Sequence, residues 1–439
     1  MLPPRSSPRP GAGSPHRALT LAALGCALAA SGHAGADGAH GAGPILGPGG
    51  QWTPSTPAGF ESPSEVVRAA AAETLPPQLG GRWSNVYGWP LVAVHAALLP
   101  NGKVIAWDAT PDDADEDPHT TDNYTTRTTL WDPVTGVHVQ TYNDTDTDLF
   151  CAGSAHLWDG RLLFAGGDGG RKGSNAPLAN TNVYDWRTNT WRREADMAAP
   201  RWYASVAALG NGEMLTLEGS YSPSPVAEVF GLDRTWRPLG IRDVFREGDY
   251  QWIAQVPDGS VMSFGPENLV ASIDTEGEGS IEVLSERDRV GLRDYGSYAM
   301  VEPGRILVAG GGTPSQTSAV LIDTATGQVS DAGDMRFARR QHNLTILADG
   351  SVLITGGNAD GTEYYSATGG VHTPELWDPA TGRFTALNDS AADRQYHSIA
   401  LLLPDGRVLS AGGGLCGECY RLGYEERNAD VFSPPTSLP

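Results

Sequence analysis

The sequence predicts a seven-bladed β-propeller, an all-β fold, and three observations carry that prediction. A two-residue turn between apolar runs recurs seven times, at Asn101-Gly102, Asp159-Gly160, Asn211-Gly212, Asp258-Gly259, Pro303-Gly304, Asp349-Gly350 and Asp405-Gly406. Six of these are Asn-Gly or Asp-Gly, the strongest short-range hairpin signal, because both central positions of the tight turn need φ > 0. Successive turns lie 58, 52, 47, 45, 46 and 56 residues apart, a fixed structural period rather than scattered loops. The 55 Gly and 32 Pro beside 40% hydrophobic residues suit a turn-rich β protein better than a helical one.

In chain order, residues 1–36 read as a secretory signal. Arg5, Arg9 and Arg17 supply a basic n-region, Ala18 to Ala30 an apolar stretch, and Ser31 to Ala34 small residues for cleavage. The apolar stretch is too short for an ordinary membrane span, so the expected location is extracellular or periplasmic. Leu24-Gly25-Cys26 half resembles a lipobox, with Ala23 a poor residue for that signal. Residues 37–78 are rich in Gly, Pro, Ala and Ser and read as a linker. One short capped helix is expected there, where Ser62-Pro63-Ser64-Glu65 runs into Val66 to Thr74.

The propeller is expected over 79–437, and its period matches the kelch spacing of about 50 residues. In each repeat one apolar strand enters the turn and a second leaves it, often ending in glycines, as in Ile306 to Gly312 and Val352 to Gly357. A third strand ends in a large residue plus Asp, at Trp131-Asp132, Tyr184-Asp185, Ile322-Asp323 and Trp377-Asp378. A fourth opens near Trp191, Trp236 or Phe384. The last repeat ends at Val431-Phe432 without its fourth strand, and Gly81-Arg82-Trp83 stands spare at the start. That spare strand is expected to complete the seventh blade and close the ring, leaving no long open edge.

With 52 acidic against 30 basic residues the formal charge is −22. Such a surface repels nucleic acid and anionic membrane. It suits a partner that is small and neutral or cationic. The run Asp112 to Asp117 reads as a solvated loop. Asn123, Asn143, Asn343 and Asn388 fit the glycosylation sequon.

The repeat phase also gathers chemistry. Eight places before each turn stand Ala93, Cys151, Tyr203, Tyr250, Tyr295, Gln341 and His397, with Tyr396 beside the last. Equivalent positions of a propeller form a ring around its axis, so a thiol, several phenols and an imidazole are expected at one mouth of the channel. That donor set suits copper better than magnesium or calcium, which take oxygen ligands. Zinc prefers closed sites of thiolate and imidazole.

Four segments then carry a family resemblance: Phe150-Cys151-Ala152-Gly153; Pro200-Arg201-Trp202-Tyr203; Arg394-Gln395-Tyr396-His397-Ser398 with Leu401 to Arg407; and Gly412 to Cys419, GGGLCGEC. In order and spacing they resemble the copper-radical oxidases, the galactose oxidase and glyoxal oxidase family, over almost everything from Trp83 onward. The resemblance implies oxidation of an aldehyde or primary alcohol by O2, giving H2O2. It implies Tyr203, Tyr396 and His397 as copper ligands, with Cys151 joined to the Tyr203 ring in a thioether radical cofactor. Tyr396 would take the substrate proton. Tyr221 would fill the place of the aromatic that stacks on the cross-linked tyrosine. Arg287 and Arg289 are the candidates for substrate contact, and Cys416 with Cys419 would form a disulfide.

One departure limits what the resemblance implies. The family places a further histidine ligand in a C-terminal immunoglobulin-like domain, and this sequence stops at Pro439. His95 and His342 are the nearest substitutes by repeat phase. His119, His138, His156 and His372 read as loop or surface residues. The expectation is therefore an oxidase that is incomplete or completed by a second chain or domain. The alternative is a non-catalytic propeller binding carbohydrate or a protein partner.

Overall fold

A computed structural model describes residues 53–54, 56–109, 125–169, 176–217, 219, 226–242, 249–361 and 364–438. The signal segment with Cys26, the acidic run, His119, Asn123 and Tyr221 lie outside the described residues. Seven antiparallel sheets follow one another along the chain, as the turn spacing predicts. No helix among the described residues is long and apolar enough to cross a membrane.

Each blade begins at the axis with a half-buried strand and continues outward. The second strand is the core of the blade. Val104–Trp107, Leu162–Ala165, Met214–Leu217 and Val408–Gly412 are buried at every position, as expected for apolar runs covered on both faces by neighbouring blades. The Asp that ends the third strand folds the next turn: Asp132 accepts from the Val134 amide and Asp378 from the Ala380 amide, each at 2.9 Å.

The ring closes as the spare strand predicts. Arg82–Trp83 and Val86–Gly88 both pair with Asn428–Ser433, so the seventh sheet joins the two ends of the chain. Asn388 ties this closure. Its Oδ1 accepts from the amides of Thr74 and Leu75, and its Nδ2 donates to the carbonyls of Leu75 and Gly81. Its own carbonyl accepts from the Trp83 indole at 2.8 Å.

Four sequence expectations change here. Val66 to Thr74 is not a helix: Val66–Arg68 is a strand that extends the seventh sheet. The segment read as linker also lays Thr53–Pro54 along blade two and Thr56–Pro63 along blade one as fifth strands. Prolines are tolerated in these strands because they are edges, where a missing N–H breaks no ladder. His138 is not a surface residue but is buried in blade one, bonded to Thr129 Oγ1 at 3.1 Å and Ser64 Oγ at 2.9 Å. Asn143 and Asn388 are likewise buried and hydrogen-bonded, so the folded protein does not present them as glycosylation acceptors.

Candidate functional site

Six of the seven ring positions share one unusual backbone state. Cys151, Tyr203, Tyr250, Tyr295, Gln341 and His397 have φ between 45° and 62°, a left-handed region that non-glycine residues rarely adopt. The conformation lets one blade bond to the next. The Tyr203 amide donates to the Cys151 carbonyl and the Tyr250 amide to the Tyr203 carbonyl, both at 2.9 Å, and Gln341 donates to Tyr295 at 2.7 Å. Because Gln341 shares the conformation, it belongs to the fold and not to the chemistry of any one residue.

A second tier holds the ring in place. Arg201, Arg293 and Arg339 stand two residues before their ring positions and Arg394 three before, all buried. Arg201 pairs with Glu228 at 2.9 Å, Arg339 with Glu375 at 2.6 Å and Arg394 with Asp430 at 2.9 Å. Arg293 pairs with Asp288 at 2.7 Å. Arg293, Arg339 and Arg394 also donate to the carbonyls of Gly310, Gly356 and Gly412. These are the glycines that end the second strands. A side chain at Gly356 would collide with the Arg394 carbonyl of the next blade, which explains the recurrent glycine.

On this frame the expected donors meet. The Tyr203 hydroxyl, the Tyr396 hydroxyl, the Tyr250 hydroxyl and the Cys151 thiol lie close enough to perturb one another's ionisation, and the Tyr203 and Tyr250 rings meet edge-on at 5.2 Å. Cys151 is buried and outside the disulfide. Tyr396 stacks on His397 with ring centroids 3.8 Å apart. His397 Nδ1 lies 2.8 Å from the Gly414 carbonyl. A carbonyl can only accept, so Nδ1 carries the proton and Nε2 keeps its lone pair. That Nε2 is buried without a hydrogen-bond partner.

Burial pushes the Cys151 thiol and the Tyr203, Tyr250 and Tyr396 phenols well above their ordinary values; repulsion from the Cys151 thiolate adds to the rise of the phenols, and Asp168 and Asp148 add to that of the thiol. Burial also depresses His397 to about 4. Left to itself the cluster is therefore a set of neutral donors around an unsatisfied imidazole. A bound dication reverses that balance and ionises the phenols. Among the described residues no three of His, Cys, Asp and Glu stand together as a metal cluster. The donor set is mostly phenolic, and it fits copper on its chemistry and on the unpartnered Nε2.

The other candidates sort as follows. Cys416 and Cys419 form a disulfide, and the Cys416 sulfur caps the short helix Gly417–Leu422. Arg287 is buried and donates to the carbonyls of Phe264, Pro266, Glu267 and Gly291. This removes it as a substrate-contacting residue. Arg289 is exposed. The guanidinium that reaches the ring is that of Arg340, 4.4 Å over Tyr295 and anchored to Asp294 at 2.6 Å. His342 packs between blades five and six, beside Arg339 and Gly310, and not in the channel.

Several residues escaped the sequence reading. Trp202 lies against Tyr203 with centroids 4.1 Å apart, Phe150 meets His397 edge-on at 5.5 Å, and Tyr364 covers Tyr396 at 4.7 Å. Trp202 and Phe150 adjoin ring positions and were visible as aromatics. Tyr364 comes from a loop with no repeat phase, so no periodicity pointed to it.

Comparison with known proteins places the chain among similar sequences. Residues 312–433 match the family model described as glyoxal oxidase N-terminus. A galactose oxidase of Gibberella zeae is 31% identical over 85% of this chain and 58% of its own length. An aldehyde oxidase of Vitis pseudoreticulata is 27% identical over 66% of this chain and 60% of its own. The chain thus spans about three fifths of the length of these curated relatives. A fungal alcohol oxidase of the AA5 family, solved in complex with copper, superposes with a TM-score of 0.71. It is 27% identical, over 81% of this chain and 76% of that one.

Proposed function

The chain matches the copper-radical oxidases, galactose oxidase and glyoxal oxidase among them, at the level of the family, and from that premise we propose that it is the propeller of a secreted oxidase. Its substrate would be an aldehyde or primary alcohol, with O2 as oxidant and H2O2 as product. A second chain or domain would supply whatever part of the site lies outside this propeller. The observation that carries the reading is the meeting of Cys151, Tyr203, Tyr396 and the bare Nε2 of His397 from blades two, three and seven.

Tyr203, Tyr396 and His397 would hold copper. Bound there, copper supplies one of the two redox equivalents that oxidation of an alcohol or aldehyde carbon needs, the thioether-linked Tyr203 supplying the other. The chain's own residues prepare that chemistry. Gly414 clamps two ligands at once: its carbonyl accepts from His397 Nδ1 and its amide donates to the Tyr396 carbonyl at 2.8 Å. The imidazole lone pair is thereby fixed towards the cluster. Tyr396 Oη, beside Tyr203 Oη, is placed to hold a proton taken from substrate. Trp202 and Phe150 wall the cluster with ring surface and keep water from it.

The test is covalent and precedes any substrate. The chain is loaded with copper(II) in air and examined by intact mass and tryptic mapping. The Cys151 and Tyr203 peptides should be recovered joined, two hydrogens lighter than their sum, with O2 as the acceptor. Peroxide release from glyoxal, methylglyoxal and galactose then ranks substrates. Separate peptides with a free Cys151 thiol would show that this chain alone does not build the cofactor, and the same result in a chain that also retains no copper would remove the oxidase reading.

A further inference from the structure

His95 opens the innermost strand of blade one, His95–Leu98. Its imidazole lies flat against Trp107, with centroids 5.3 Å apart and 18° between planes. It meets Tyr250 edge-on at 6.4 Å, and Tyr250 meets Tyr203 at 5.2 Å. Tyr250 belongs to blade four. A side chain of blade one can touch it only by pointing into the central channel. His95 Nε2 is enclosed there without a hydrogen-bond partner, as His397 Nε2 is.

His95 and His397 stand on adjacent blades. The innermost strands of blades one and seven adjoin, and Gly412 sits where any side chain would strike both the Ala93 and His397 carbonyls. Two enclosed imidazole nitrogens without partners are costly to leave bare. A single cation between them would satisfy both.

We propose that His95 is a second imidazole donor to the metal held by Tyr203, Tyr396 and His397, an assignment that rests on the reading of that cluster as a copper site. It gives this chain two phenol and two imidazole donors from blades one, three and seven, all drawn from the propeller itself. Trp107 orients the ring, and Tyr250 limits its swing.

The experiment titrates copper(II) into the full chain and counts coupled imidazole nitrogens by pulsed EPR. The variants are His95→Phe, which keeps a ring against Trp107, and His95→Gln as a second probe in case Phe disturbs folding. Thermal melts of the metal-free proteins check the fold. The expected result is two inequivalent imidazoles in the wild type and one in either variant. Copper affinity should fall at least about tenfold. One imidazole in the wild type, or an unchanged spectrum in both variants, overturns the assignment while leaving the copper site standing. A wild type that binds no copper and forms no Cys151–Tyr203 link overturns the oxidase reading itself, and His95 with it.

Discussion

At the inner ends of blades three, five, six and seven, a buried arginine just before the ring position pairs with a carboxylate and reaches a glycine carbonyl or strand backbone. At the outer rim of blades one, two and seven, the added strands come from residues 53–68 and obey no repeat. They are tied instead by single residues, Asn388 at the closure and His138 against Ser64. The inner end is one solution used several times, so a side chain can change there while its backbone does not: blade six presents Gln341 where blade seven presents His397. The rim is built once, and each of its contacts has no counterpart elsewhere in the ring.

The largest effect should come from the inner tier. Arg339→Ala and Arg394→Ala each strand a buried carboxylate, Glu375 or Asp430. Breaking a buried pair from one side typically costs about 3–5 kcal/mol. Urea unfolding should show similar losses for the two, since both arginines do the same work. Only Arg394→Ala should also weaken copper retention, because Tyr396 and His397 follow it directly. Unequal losses in stability would break the claim that the blades share one device.

The next effect tests the rim. Asn388→Ala leaves the Thr74 and Leu75 amides and the Gly81 carbonyl without their partner; stranding the buried Gly81 carbonyl costs about 1–3 kcal/mol, and the exposed amides, which water can satisfy, add less. Hydrogen exchange should quicken first at Trp83 and its partner Phe432, where the two chain ends meet. Uniform exchange across all blades would mean that the closure is no weaker than the rest of the ring.

The same contrast explains what the sequence made legible. The seven turns, the ring phase and the N-terminal closing strand follow from periodicity, and the structure has all three. The donors Cys151, Tyr203, Tyr396 and His397 could be placed because a propeller turns sequence phase into height along the axis. The arginine tier was equally periodic but passed unread, since an arginine near a turn looks like surface until its buried acid is known. The rim strands were unreadable for a different reason. Thr53–Pro54 and Thr56–Pro63 have the composition of a linker, and only the exposed edges of blades one and two make them strands. Arg287 failed as a substrate contact because nothing in its sequence context shows the four carbonyls it serves.

The smallest effect concerns the rim alone and is read in pH. His138 is enclosed by Thr129, Ser64 and the Trp89 ring, which is 4.9 Å away. Burial lowers it to about 4 from an ordinary value of 6.5. Its folded pKa lies below the unfolded one, so the unfolded chain takes up the proton first as pH falls. The stability it contributes is whole above pH 6.5 and drains away between there and pH 4 at about 1.4 kcal/mol per pH unit. His138→Gln keeps a polar group between the two hydroxyls and removes the titration. Its unfolding free energy should therefore fall less steeply than that of the wild type between pH 6.5 and 5.5, by about 1 kcal/mol over that unit. Parallel curves would show that the Ser64 strap opens before the proton arrives, which would make this edge of blade one the first part of the rim to yield.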